Sequence, residues 1–222
     1  MIEIGLMMLG IVLVAYMIRN KVSLDFPSFL DRTLPLERGV FGVYSYNGKQ
    51  GSGKTYSLVK YVLKHQYEAM EVYSNMHIEG LDYTPITSVE HLFSLRDKEH
   101  CFIIYDEIFT LLQKSSKIDE ELMEFLTQQR KMKNILFTTA QEWLEIPITF
   151  RRFVRIAIDC NTRPLGRFGG ILIEVYRDGY RMKWDNDENE YIAPIIRTKI
   201  SKYQKRYMVA YDTFARVKRL KR

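Results

Sequence analysis

The chain of 222 residues predicts a three-layer α/β fold, with helices on both faces of a central, mostly parallel sheet. Three observations carry that class. Apolar, β-prone stretches at 40–46, 101–105 and 135–140 alternate with stretches of helical apolar spacing at 56–65 and 118–133, and such alternation builds a parallel sheet. The runs 101–105 and 135–140 are apolar without interruption, as strands covered on both faces are. Finally, Gly48-Lys49-Gln50-Gly51-Ser52-Gly53-Lys54-Thr55 fills the pattern G-x-x-x-x-G-K-[ST] at every fixed position, between a strand and a helix.

That loop has a physical reading. Backbone N–H groups of a glycine-rich turn and of the helix start behind it hold anionic phosphates. Its glycines allow positive φ and close backbone approach. Lys54 reaches the β- and γ-phosphate oxygens, and the Thr55 hydroxyl ligates Mg²⁺. The strand–loop–helix context makes residues 48–55 a binding site for a nucleoside triphosphate with Mg²⁺.

Taken in order, the chain begins with residues 4–18, which carry no charge. As a helix this run is roughly 22 Å long against a hydrocarbon core of about 30 Å. It reads as a membrane anchor over 1–21, extended by Met1, Ile2 and a snorkelling Arg19, or as a helix packing on a core or coat protein. Arg19 and Lys21 behind it place the remainder on the cytoplasmic side. Residues 22–39, with Pro27 and Pro35, read as a linker to an ATPase core over 40–160. After the loop helix come a short strand at 71–74 ending in Asn75 and a helix over 84–98.

The strand 101–105 ends in Asp106 and Glu107. Two acids at a buried strand tip complete the nucleotide site: Asp106 in the Mg²⁺ shell, Glu107 as the base that orients and activates water. A base at that place argues for hydrolysis over transfer to a small acceptor. The helix 118–133 puts Asp119, Glu120 and Glu121 in its first turns and Arg130, Lys131 and Lys133 at its end, matching the macrodipole. Leu122, Phe125, Leu126 and Met132 are its expected buried stripe. Gln141, at the tip of strand 135–140, is positioned to sense the γ-phosphate or the water. Arg130 and the arginines of 150–155 are candidates for a finger entering a neighbouring subunit's site. Residues 171–177 and 180–184, joined by Asp178-Gly179, read as a β-hairpin that adds antiparallel strands to the core sheet or forms a protruding lobe, within a C-terminal extension over 161–222.

Charge is concentrated at one end. The formal net charge is +6, and residues 197–222 hold ten Lys/Arg against one acid, Asp212, so residues 1–196 sum to −3. A cationic end implies an anionic partner, nucleic acid or a lipid surface, unless it is simply a solvated tail. Tyrosines interleaved with the basic residues at 199–207 suit phosphate contact with base stacking. Cys101 and Cys160 form neither a metal spacing nor a redox pair, and read as buried thiols.

The order of these features resembles the FtsK–HerA branch of P-loop ATPases, in particular its small viral members. The residues that carry it are the phosphate loop, Asn75, Asp106-Glu107, Gln128-Gln129-Arg130 and Thr138-Thr139-Ala140-Gln141. Two subgroups are similar: genome-packaging ATPases of membrane-containing viruses, and zonular occludens toxin-like assembly ATPases of filamentous phages. In the second subgroup the membrane helix usually follows the ATPase domain, whereas here the apolar run comes first. The resemblance implies ATP as the triphosphate and a homo-oligomeric ring, a hexamer or similar, that moves DNA across a membrane or into a capsid. It also implies capsid or coat proteins as partners, DNA at the basic end, a membrane or viral vesicle at residues 1–18, and Arg130 supplied in trans. A genome-packaging motor is the leading expectation, filament export the alternative. A morphogenesis scaffold and a small-molecule kinase remain rivals.

Overall fold

The computed structural model describes residues 2–24, 41–108, 120–165, 169–185 and 190–212. The described strands are β1 (Val22–Leu24), β2 (Gly42–Asn47), β3 (Glu71–Ser74), β4 (Thr84–Pro85), β5 (Cys101–Tyr105), β6 (Ile135–Ala140), β7 (Val154–Pro164), β8 (Gly170–Asp178), β9 (Lys183–Asp185), β10 (Glu190–Ile192) and β11 (Ile195–Lys202). The helices are α1 (Ile2–Arg19), α2 (Lys54–His65), α3 (Val89–Ser94), α4 (Glu120–Lys131), α5 (Ile148–Arg151) and α6 (Lys205–Val209).

β2, β5 and β6 are buried at every position, which places them mid-sheet. The nine-stranded sheet runs β1-β11-β8-β7-β2-β6-β5-β3-β4. It is parallel from β7 to β4. β8 runs against both of its neighbours, β7 and β11, and β1 lies parallel to β11. β9 and β10 form a separate antiparallel pair.

Side-chain alternation along each strand divides the core into two layers. On one face Leu58, Val59 and Val62 of α2 pack on Tyr44, Tyr46, Phe137 and Ile158. On the other, Leu92 and Phe93 of α3 and Leu122, Phe125 and Leu126 of α4 pack on Val43, Ile103, Tyr105 and Leu136. Burying each such side chain contributes about 1.5–3 kcal/mol. Where α2 crosses β8 and β11 its face turns polar. Ser57 Oγ donates to Glu174, and Lys60 Nζ donates to Ser201 Oγ at 2.6 Å and lies 3.6 Å from Glu174. These groups are buried, so their mutual bonds offset the desolvation cost and fix the seat of α2.

Four expectations change. The apolar run forms α1 as anticipated, but among the described residues no helix is long and apolar enough to cross a membrane. At 18 residues α1 spans about 27 Å at 1.5 Å per residue, short of a hydrocarbon core of about 30 Å. Its large apolar side chains from Met7 to Ile18, Met17 apart, are more than half exposed. Next, the expected linker contains β1, whose Val22–Leu24 pairs with Thr198–Ile200; residues 25–40 lie outside the described ones. In 84–98 the helix begins only at Val89, because Pro85 joins edge strand β4 and Ser88 Oγ accepts the His91 N–H as an N-cap.

Lastly, Asp178-Gly179 makes no two-residue hairpin. Gly179 has no positive φ and starts a 3₁₀ turn capped by Asp178. A Cβ on Gly179 would run into the Val154 carbonyl, so the glycine serves a close approach to β7. β8 therefore pairs with β7 and β11; the turn differs, but antiparallel strands are added to the core sheet as expected, and there is no protruding lobe of β8 among the described residues. In α4, Leu122, Phe125 and Leu126 are buried as expected, while Met132 is only partly so. The anticipated helix start at 118–119 lies outside the described residues.

Candidate nucleotide-hydrolysis site

β2 delivers the chain into the loop at the carboxyl edge of the parallel sheet, the edge at which α/β folds bind ligands. Gly48, Gly51 and Gly53 have φ of +143°, +77° and +88°, so each needs the freedom of glycine. Two of them are also confined by close neighbours. A Cβ on Gly48 would lie 2.6 Å from the Cys160 carbonyl oxygen, and one on Gly53 would overlap the Tyr203 hydroxyl. Gly48 N–H donates to Gln141 O at 3.2 Å, and Ser52 N–H donates to Lys49 O at 3.0 Å. Lys54 opens α2 and folds back over the loop, its Nζ donating to Gly48 O at 2.7 Å and to Lys49 O at 3.2 Å. Partial burial lowers its affinity for the proton; Cys160, Asp106, Glu107 and Glu145 nearby oppose that.

The acids arrive by register. Ile104 pairs with Phe137 and Tyr105 with Thr138, which puts Asp106 beside Thr139. Phe102, Ile104 and Phe137 face α2, and by the two-residue alternation Asp106 and Thr139 face it too. Thr139 Oγ1 donates to Asp106 Oδ1 at 2.6 Å and accepts the Glu107 N–H at 2.8 Å. From the other side Asn75 clamps the backbone: its Oδ1 accepts Asp106 N–H at 2.8 Å and its Nδ2 donates to Asp106 O at 3.1 Å. Burial pushes the Asp106 carboxyl upward, opposed by the Thr139 hydroxyl, Lys54, the Glu107 N–H and the Thr55 hydroxyl. Glu107 is likewise raised, by burial and then by the charge of Asp106, against Lys54. Its φ is +56°, a left-handed conformation that costs a non-glycine residue about 1–3 kcal/mol and clusters at functional sites.

The arrangement fits a triphosphate with a divalent cation on grounds of its own. The Thr55 hydroxyl already meets the Asp106 carboxylate, one neutral and one anionic oxygen of the kind a hard cation takes. Ser52 Oγ and Asn47 Nδ2 are buried beside the loop without hydrogen-bond partners among the described residues, and a bound anion would satisfy such groups. Gly48 to Thr55, Asp106, Glu107 and Gln141 thus come together at one edge. Gln141 is exposed there, its carbonyl tied to the loop.

Arg130 does not join them. It sits on the last turn of α4, close to where Asn134 N–H meets Gln129 O and Asn134 O accepts Gly42 N–H. That is the entry edge of the strands, opposite the loop. Arg151 is held by the Ile146 and Leu144 carbonyls and by the Tyr191 ring, and Arg155 pairs with Asp178 at 3.1 Å. Sequence reading missed the bridging role of Thr139, which becomes visible only once β5 and β6 are in register. It also missed Thr162, whose Oγ1 donates to Gly51 O at 3.2 Å; Tyr203, expected among the tyrosines that stack on bases, has its ring against Tyr56 and its hydroxyl at Gly53 instead.

No protein-family model matches this sequence, and no curated protein matches it. Solved structures do. The N-terminal domain of zonular occludens toxin from Neisseria meningitidis superimposes with a TM-score of 0.56 at 16% identity, over 78% of this chain and 100% of that one. The fold is that of a P-loop ATPase. Weaker likenesses are the genome-packaging NTPase B204 of Sulfolobus turreted icosahedral virus 2 in complex with ATP-gammaS (TM-score 0.47, 12% identity, 72% and 97% of the chains) and the flagellar accessory protein FlaH of Methanocaldococcus jannaschii (0.44, 15%, 73% and 89%). With this fold and this set of side chains, the chain has the parts for in-line attack of water on a γ-phosphate. They are N–H donors and an ammonium for the developing charge, a hydroxyl and a carboxylate for a cation, and an adjacent carboxylate for the water.

Proposed function

We propose that this P-loop ATPase hydrolyses ATP to move viral DNA. The observation that carries the reading is the meeting of Thr55, Asp106 and Thr139 beside a Glu107 held at positive φ. This is more than a phosphate-binding turn needs, and it is what a hydrolase needs. In this reading Lys54 leaves the Gly48 and Lys49 carbonyls for the phosphates, Asp106 and Thr55 hold Mg²⁺, and Glu107 takes the proton of the attacking water. A cation held by these two oxygens would supply charge neutralisation to the phosphates. Gln141, at the rim, contacts the γ-phosphate side. Arg130 is too far from its own loop to act in cis, which leaves a neighbour's site in a ring as its place of action.

DNA is assigned to the basic end, whose described part includes exposed Lys205 and Arg206; residues 213–222 lie outside the described ones. α1, with its uncovered apolar side chains, is assigned to an apolar surround that holds the ATPase domain at the cytoplasmic side of a membrane without crossing it. Between the two viral settings, the likeness to the whole zonular occludens toxin domain favours filamentous phage assembly and export. Genome packaging into a membrane-containing virion is the second reading.

The test is phosphate release by the full chain, with and without single- or double-stranded DNA. Stimulation by DNA, stronger with single strands for export and with double strands for packaging, is the expected result. Hydrolysis indifferent to both, in a protein that assembles normally, overturns the DNA motor.

A further inference from the structure

Outside its own motif the phosphate loop is braced from one side. Cys160 and Thr162 on β7, Leu172 on β8 and Tyr203, just past β11, all stand against it. β7 continues past Asp159, the partner of the last residue of β2, as far as Pro164. This carries Thr162 up beside the loop to donate to Gly51 O at 3.2 Å. Gly53 is the most enclosed glycine of the loop: a Cβ there would overlap the Tyr203 hydroxyl and stand 3.0 Å from both Leu172 Cδ1 and Thr162 Cγ2.

Tyr203 is itself fixed at three points. Its N–H donates to Gly170 O at 2.9 Å. Its ring lies 4.2 Å from that of Tyr56, tilted by 38°. The next residue's N–H, Gln204 N, donates to Tyr56 OH at 2.8 Å. Tyr56 follows Thr55 on α2 and is 1% exposed. The ring is thus clamped to the helix whose start it covers.

The chemistry at Gly53 explains why a brace is needed there. Gly53 caps α2 at φ +88° with no side-chain hydrogen bond to hold it. Glycine leaves left-handed backbone readily when nothing restrains it. Yet the N–H groups that follow it are those a phosphate would meet at the helix start. Preorganised donors bind an anion without first losing conformational entropy.

We propose that Tyr203 is a positioning residue for the phosphate loop, holding Gly53 in the left-handed conformation that aims the loop's N–H groups at a polyphosphate. This rests on residues 48–55 being the triphosphate site and names a residue outside the motif that sets its affinity. The ligand class follows: Tyr203 acts on the phosphates, so inorganic tripolyphosphate feels its loss as much as ATP does. Thr55, Asp106, Glu107 and Thr139 stand on the opposite, β5–β6 side of the loop, so turnover at saturation is spared.

The test is calorimetric titration of the full chain with Mg²⁺-ATP and with Mg²⁺-tripolyphosphate, together with steady-state hydrolysis. Tyr203→Ala is expected to weaken both ligands by the same factor, about tenfold, and to raise KM by that factor with kcat within about twofold. Tyr203→Phe, which keeps the ring on Tyr56 and withdraws only the hydroxyl, falls between Tyr203→Ala and wild type. A purely structural role would lower the melting temperature and leave both affinities unchanged; that outcome overturns the proposal. So does a loss confined to ATP, which would move Tyr203 to the nucleoside. If Tyr203→Ala does not fold, Tyr203→Phe with wild-type affinity for both ligands overturns it equally. Wild-type protein that binds neither ligand sinks the site itself, a result separable from all of these.

Discussion

Thr139→Val isolates the one side chain that ties the two acids together. Valine keeps the volume of a residue that is 1% exposed, so packing is preserved and only the hydroxyl goes. Two bonds go with it: the 2.6 Å bond to Asp106 and the 2.8 Å bond from Glu107 N–H. A bond to an ionised group is worth about 1.5–3 kcal/mol, and a partly buried N–H left unpaired costs about 1–3. Because Glu107 is only partly buried, water can reach its backbone and the lower half of the second range applies, about 2.5–5 kcal/mol in total. For a chain of this size this lowers Tm by about 5–20 °C, at about 2–4 °C per kcal/mol.

The loss has a pH signature. The Thr139 hydroxyl is the foremost influence holding the Asp106 carboxyl down against burial, so its removal raises that carboxyl further. A buried carboxyl whose folded value exceeds its unfolded one costs stability as pH rises through the interval between them. The deficit of the variant is therefore larger at pH 8 than at pH 4. Hydrolysis falls by about 10²-fold, the usual consequence of losing a group that orients a cation ligand. Thr139→Ser keeps the hydroxyl and restores most of both. Thermal unfolding at two pH values with phosphate release measures all of this. A Thr139→Val protein with wild-type Tm and turnover refutes the bridge.

Further outcomes follow from the same geometry. Asp106→Asn removes a charge whose burial is unfavourable, so at neutral pH it melts higher than wild type while losing hydrolysis; a lower Tm contradicts the burial argument. Glu107 must be ionised to take a proton, and burial with the charge of Asp106 raises it above the ordinary 4.5. The kcat/KM profile therefore shows an acid limb above that value, activity rising with pH, and a limb at or below 4.5 counts against Glu107 as the base. Gly53→Ala combines a φ of +88° with an overlap on Tyr203; nucleotide binding measured by fluorescence titration falls by at least about tenfold, and unchanged binding contradicts the loop geometry.

The parts of this molecule that sequence revealed are those whose chemistry is local. Residues 48–55 need glycine, lysine and threonine at fixed places along the chain, and β5 ends in its acids because a buried strand must reach the sheet edge before charge is tolerated. The rest depends on what the chain meets later. Asp178-Gly179 looks like a hairpin turn because the dipeptide prefers one; the contact with Val154, 25 positions earlier in the chain, decides otherwise. The 84–98 stretch has helical apolar spacing, but its first residues are taken by an edge pairing with β3. Thr139 acquires its role only from the β5–β6 register, and Tyr203 only from the crossing of β11 behind the loop. α1 was legible as a helix, and its length was legible too; an anchor across the bilayer asked more of those residues than 1.5 Å per residue supplies.

Residues 48–55 hold a triphosphate in the proposed reaction, and Glu107 helps water to cleave it. Glu107→Gln keeps the side chain's size and removes its basicity, so nucleotide affinity and phosphate release measured on the same preparation separate holding from cutting. The expected result is affinity within about threefold of wild type and phosphate release lower by at least about 10²-fold. Release at the wild-type rate, or wild-type protein that binds no nucleotide, would contradict it.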